Sequence, residues 1–114
     1  MENSQFIWMD GEIVPWDEAQ VHALSHGLHY GTGVFEGIRA YETDTGPAVF
    51  RLTEHMERLH RSANAYGIPL DWSVEKLVGA ARRVVTVNSL PAAYIRPLVT
   101  LGAVSYTHLR AHET

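Results

Sequence analysis

The sequence predicts an α+β fold, an antiparallel sheet packed against two main helices, on three observations. An Asp10-Gly11 step separates two short apolar runs, two later stretches carry a helical apolar stripe, and an extended apolar run follows them. Strands come first, helices next and a strand last, which is the order of an α+β domain and not of a regular βαβ repeat.

Phe6-Ile7-Trp8-Met9 and Glu12-Ile13-Val14 flank Asp10-Gly11, and Asp-Gly supplies the positive φ values of a two-residue hairpin turn. Pro15 has no N–H for a ladder and ends the second strand. Residues 16–34 follow neither period and hold Gly27, Gly31, Gly33 and three histidines, so they read as a short helical stretch and a glycine-rich turn. Residues 34–42 read as a strand that returns through Ala48-Val49-Phe50 after a turn over 43–47.

Thr53 is the expected N-cap of a helix over 53–66, whose Met56, Leu59, His60 and Ala63 keep a 3.6-residue period. Gly67 and then Pro69 stop it. Ser73 caps a second helix over 74–88, with Val74, Leu77, Val78, Ala81, Val84 and Val85 on one stripe. Residues 93–102 are again extended. The sheet is expected to comprise 6–14, 34–50 and 93–102. Residues 105–114 contain one large aliphatic, Leu109, and are expected to pack weakly as a tail.

Composition narrows the function. Of 114 residues 46% are hydrophobic and 19% charged, ordinary globular usage that excludes disorder and collagen-like order. Nine basic residues against thirteen acidic give a net charge of −4, which argues against nucleic acid or an anionic membrane as the main partner. Without cysteine there is no disulfide framework and no thiolate metal site. No apolar run reaches the ~20 residues of a membrane span. The start Met1-Glu2-Asn3-Ser4-Gln5 is not a signal peptide, and a cytoplasmic location is expected. Lys76 is the single lysine among the nine basic residues.

Several constellations carry possible chemistry. His22, His26 and His29 share the i, i+4, i+7 spacing of one helix side, but the neighbouring glycines weaken the helix and no Glu lies between them. His55 and His60 are one residue too far apart for a paired metal motif. Packing and local hydrogen bonding are therefore expected of them, with no metal. Gly31, Gly33 and Gly37 lack the spacing and the following helix of a dinucleotide fingerprint. They read as a tight turn, or as backbone that a ligand approaches closely. Arg58 lies four residues after Glu54, as Arg61 does after Glu57, so surface ion pairs compete with phosphate anchoring as the reason for these arginines. Tyr94 and Arg96 share one strand face opposite Ile95, which suggests a carboxylate-binding wall, and Phe35, Gly37 and Arg39 share a face of their own strand.

Taken together, these residues resemble the start of the branched-chain-amino-acid aminotransferases, pyridoxal-phosphate enzymes of the fold-type IV group. The stretch Ser25-His26-Gly27-Leu28-His29-Tyr30-Gly31-Thr32-Gly33-Val34-Phe35-Glu36-Gly37-Ile38-Arg39 carries most of the resemblance. The hairpin Ile7-Trp8-Met9-Asp10-Gly11, the run His55-Met56-Glu57-Arg58-Leu59-His60 and the strand Ala93-Tyr94-Ile95-Arg96-Pro97 match in the same order. The resemblance implies the small N-terminal domain of that fold over residues 1–104. It also implies that Arg58 holds the phosphate of pyridoxal 5'-phosphate. Tyr30, Phe35, Gly37, Tyr94 and Arg96 would form the substrate wall, with Arg96 meeting the distal carboxylate of glutamate. The implied reaction exchanges the amino group between branched-chain L-amino acids and 2-oxoglutarate, in a homo-oligomer, most simply a dimer.

In that family the lysine that forms the Schiff base lies in a second, larger domain. No catalytic residue is therefore expected in this chain, and no transaminase activity from it alone. Residues 105–114 leave the family pattern and are expected to be a non-native or disordered tail. A D-amino-acid aminotransferase or an aminodeoxychorismate lyase shares the fold, and a non-catalytic dimerisation module is a third reading. Tyr30, Phe35 and the Tyr94-Ile95-Arg96 run favour the branched-chain reading.

Overall fold

Asp10 (φ 48°) and Gly11 (φ 96°) turn the chain between β1 (Phe6–Met9) and β2 (Glu12–Pro15), as their sequence predicts. A computed structural model describes residues 5–102 and 105–112. The polar start read as not being a signal peptide lies, but for Gln5, outside the described residues. After β2 come a 3₁₀ turn (Trp16–Glu18), α1 (His26–Tyr30), β3 (Gly33–Phe35), β4 (Ile38–Thr43) and β5 (Gly46–Val49). The helices α2 (Leu52–Ala65) and α3 (Val74–Val87) follow, then β6 (Ala93–Leu101) and β7 (Ser105–His112).

All described pairings are antiparallel, in the order β2-β1-β7-β6-β4-β5, with β3 also beside β6. Alternation along β6 sends Ala93, Ile95, Pro97 and Val99 into the core, while Tyr94, Arg96, Leu98 and Thr100 stay half-buried on the other face. The helices close the core side: Met56, Leu59 and Ala63 of α2 pack with Leu77, Ala81, Val84 and Val85 of α3 over Ile38 and Ile95. Val74 and Val78 of the predicted stripe are partly buried at its margin. Asn88 ties the end of α3 to the hairpin, its amide donating to the Phe6 carbonyl and its Oδ1 accepting from the Phe6 N–H, both at 3.0 Å.

Three local expectations need correction. The helix cap is not Thr53: α2 begins at Leu52, after Arg51 in the left-handed region (φ 49°). Leu52 is buried in the core, and docking it brings the first turn forward by one residue. Ser73 does cap α3, its hydroxyl accepting from the Lys76 N–H at 3.1 Å. The strand predicted over 34–42 is interrupted at Glu36-Gly37, although its register is unbroken, with Phe35 opposite Leu98 and Ile38 opposite Ile95. The reason is Pro97. Its carbonyl accepts from the Glu36 N–H at 3.1 Å, so its missing N–H falls on the same side and leaves a gap in the ladder.

The third correction is the largest. Residues 105–112 are not a loose tail but β7, an interior strand between β1 and β6. Eight residue pairs join β7 to β6, and Trp8 and Met9 of β1 lie opposite Leu109 and His108. Thr107, Leu109 and Ala111 are buried at every second position. A search for a helical apolar period passes over a strand whose one large inward aliphatic is Leu109, because hydrogen bonds on both edges hold it. Asp10 adds to them, accepting from the Thr107 N–H at its Oδ1 and donating its own N–H to the Thr107 carbonyl, both at 2.8 Å.

Candidate functional site

Two groups of side chains meet at the Glu36-Gly37 step, one on each face of the sheet. On the helix side Glu36 takes the inward place between the core residues Val34 and Ile38, with its side chain 5% exposed. A carboxylate there requires hydrogen-bond donors, and α2 supplies two. Arg58 Nε lies 3.0 Å from Oε2, Arg58 Nη2 lies 2.7 Å from Oε1, and His55 Nδ1 lies 2.8 Å from Oε1. Burial pushes the Glu36 pKa up, but the hydrogen bonds and charges of Arg58 and His55 outweigh it and hold the carboxyl below its usual range. The same hydrogen bond and charge raise the Arg58 pKa.

Glu54, the sequence-level partner of Arg58, instead lies 3.4 Å from Arg51. Arg58 meets Glu36 through one edge, Nε and Nη2, and its side chain remains 59% exposed. Nη1 has no hydrogen-bond partner among the described residues, while Nη2 also lies 3.5 Å from His55 Nδ1. Arg58 lines a cleft of about 180 Å³ with Arg51, Arg61, Glu54 and His55. Three guanidinium groups around a small open cleft suit a phosphate.

On the opposite face the structure brings together Phe35, Gly37, Tyr94 and Arg96. The Arg96 guanidinium lies 4.4 Å from the centroid of the Phe35 ring, and its Nη2 donates to the Tyr94 hydroxyl at 2.9 Å. A side chain at Gly37 would overlap that hydroxyl, so the glycine leaves the space that the Tyr94 ring occupies. Arg96 Nε is buried without a hydrogen-bond partner, an unmet donor suited to a carboxylate. Tyr30 is not part of this cluster. It is 76% exposed on α1, with its ring against His26 and His29.

Sequence reasoning missed three contributors. Glu36 and His55 fix Arg58, and the signal that could have found them was an acidic residue at an inward position of an alternating strand. Arg110 lies opposite Arg96 in the β6–β7 register, with its own buried Nε unpartnered and its guanidinium 5.0 Å from the Trp16 centroid. Both arginines line a cleft of about 530 Å³ with Trp16, Asp17, Gln20 and Leu98. An equally large cleft between the hairpin and α3, lined by Trp8, Glu12, Lys76 and Arg83 among others, holds none of the candidate residues.

The three clustered histidines serve separate local bonds: His22 Nδ1 accepts from the Leu24 N–H, His26 meets the Thr32 hydroxyl at 2.8 Å, and His29 meets the Ala23 carbonyl at 2.7 Å. Among the described residues no three His, Asp or Glu side chains form a group that could hold a metal ion. No helix among them is long and apolar enough to cross a membrane.

The family model described as amino-transferase class IV matches residues 33–114. This chain belongs to the class IV aminotransferases. It is 52% identical over 103 residues to the branched-chain-amino-acid aminotransferase of Escherichia coli (strain K12), and 48% identical over 97 residues to that of Pseudomonas aeruginosa. The matched region is 90% of this chain and 33% of the E. coli protein, so the chain spans about a third of the length of the curated relatives it matches. The structure superposes on the E. coli crystal structure at a TM-score of 0.94 and 43% identity, covering 97% of this chain and 40% of that one. The branched-chain aminotransferase of the archaeon Thermoproteus uzoniensis, solved with norvaline, gives a TM-score of 0.91 at 38% identity, over 96% of this chain and 40% of that one.

Proposed function

We propose that this chain forms the small N-terminal domain of a pyridoxal-phosphate-dependent branched-chain-amino-acid aminotransferase. The observation that carries the reading is the Glu36-Gly37 step, which sets a phosphate-suited arginine on one side and a carboxylate-suited Arg96–Tyr94–Phe35 wall on the other. The names of the relatives support the substrate class. One similar branched-chain amino acid aminotransferase is solved in complex with N-(5'-phosphopyridoxyl)-L-glutamate, a cofactor and an acidic substrate in one molecule.

The residues present fit such a group. Arg58 would hold the phosphate through the part of its guanidinium that Glu36 leaves free, with Arg51 and Arg61 adding positive charge. Pyridoxal phosphate bound there supplies the electron sink for amino-group exchange. Phe35 and Tyr94 would flank an aliphatic side chain, and Gly37 would leave it room. The unmet Arg96 Nε would meet the distal carboxylate of glutamate, so that one pocket serves both substrates. Tyr30, outside the cluster within one chain, would complete the wall of a second copy in a homo-oligomer. The lysine that carries the cofactor would lie in a following domain, and the location would be cytoplasmic.

The test is to express this chain joined to its natural continuation and assay L-leucine and D-alanine as donors with 2-oxoglutarate. Transfer from L-leucine that Arg58→Ala abolishes supports the reading. Transfer from D-alanine but not L-leucine overturns it.

A further inference from the structure

We infer that Glu36 is a positioning residue for an oxyanion bound at Arg58: it holds the guanidinium by one edge so that the other edge is set toward the cleft before the anion arrives. The inference deepens the proposed function and rests on its assignment of Arg58 as the phosphate anchor.

Geometry carries it. Glu36 is buried in the sheet and cannot follow a moving partner, whereas Arg58 extends from α2 into solvent. Both Glu36 oxygens are engaged by Arg58, at 3.0 Å to Nε and 2.7 Å to Nη2, and a planar fork held at two points keeps its plane. His55 Nδ1, one helical turn before Arg58, lies 2.8 Å from Oε1 and gives the carboxylate a second anchor on α2. Arg58, with Nη1 unpartnered among the described residues, lines the cleft together with Arg51 and Arg61.

A carboxylate beside an anion site also weakens it by partly neutralising the arginine. Two influences of opposite sign are thus present, and a variant that removes the charge would mix them. Glu36→Asp separates them, because it keeps the charge and withdraws the carboxylate by one methylene. Arginine left loose must be ordered when the anion binds, which costs about threefold to tenfold in affinity.

The experiment titrates inorganic phosphate into the full 114-residue chain at neutral pH. Binding is followed by the arginine side-chain ¹⁵N–¹H resonances in wild type, Glu36→Asp, Arg58→Lys and the double variant. Glu36→Asp is expected to raise the phosphate Kd about threefold to tenfold in the wild-type background. In the Arg58→Lys background, which has no fork to position, it should change Kd less than about twofold. Unchanged or tighter binding in Glu36→Asp overturns the inference, as does an equal loss in both backgrounds, which marks a merely structural effect. Wild-type affinity in Arg58→Lys overturns the anchor assignment itself and the inference with it. A measurement on the wild type alone guards against a variant that fails to fold. The Arg58 Nε–H order parameter should exceed about 0.6, and a value below that overturns the clamp.

Discussion

Arg58 reaches across from α2 to the buried carboxylate of Glu36, and not to Glu54 one turn before it on its own helix. An exposed pair within one helix is worth only ~0.2–0.5 kcal/mol, and Glu54 has water as an alternative partner. Glu36 has no such alternative. The buried carboxylate, with little access to solvent, decides which partner the arginine takes.

That pairing makes stability pH-dependent with a definite sign. Glu36 titrates lower in the folded chain than in the unfolded one, so the pair stabilises the fold above the ordinary carboxylate pKa. The contribution is lost as pH falls through the lower, folded value. Thermal unfolding followed from pH 7 to about pH 3 should show a falling Tm. Glu36→Gln should lower Tm at pH 7 and flatten the acid limb. A Glu36→Gln profile parallel to wild type would place the acid sensitivity elsewhere.

Removing residues 105–112 should unfold the domain. Without β7 the hairpin loses its bond to the rest of the sheet, since β1 pairs with β7 and β2 but not with β6. A single-site version is Leu109→Ala, which should cost ~2–5 kcal/mol, matching Leu77→Ala in α3. Both side chains are fully buried in the same core. Chemical denaturation measures both. A loss below about 0.5 kcal/mol for Leu109→Ala would show β7 to be peripheral.

Gly37→Ala should disturb the Tyr94–Arg96 pair before it disturbs the core. The added methyl group meets the tyrosine hydroxyl and ring, and the overpacking should cost ~1–3 kcal/mol. Tyr94→Phe removes the atom in closest conflict and should restore part of that loss in the double variant. Equal losses with and without Tyr94→Phe would mean that the strain lies in the backbone.

Lys76 should not act as the lysine of a transaminase. It is exposed in the first turn of α3, beside Glu75 and on the cleft that holds none of the candidate residues. Incubating the chain with pyridoxal phosphate and L-leucine, reducing with borohydride and digesting for mass spectrometry should give no saturable, stoichiometric label on Lys76. Such a label together with 2-oxo acid formation would refute this assignment.

Local structure was legible in the residues wherever one acts on its own backbone. Asp10-Gly11 dictated the hairpin, Ser73 the start of α3, and the 3.6-residue stripes the buried faces of both long helices. Strand alternation likewise put Tyr94 and Arg96 on one face of β6, and Phe35 and Gly37 on one face of their own strand. Folding in three dimensions settled the rest. Arg58 chose between Glu54 and Glu36 according to which carboxylate was shielded from water, and sequence spacing does not encode that difference. Tyr30 stands apart from the Phe35–Arg96 cluster because α1 leaves it exposed, with its ring against His26 and His29. Residues 105–112 carry too little apolar surface to declare a core strand. They become one because β1 and β6 offer hydrogen-bonding edges on both sides, and the partners of a strand are fixed by pairing distant in sequence.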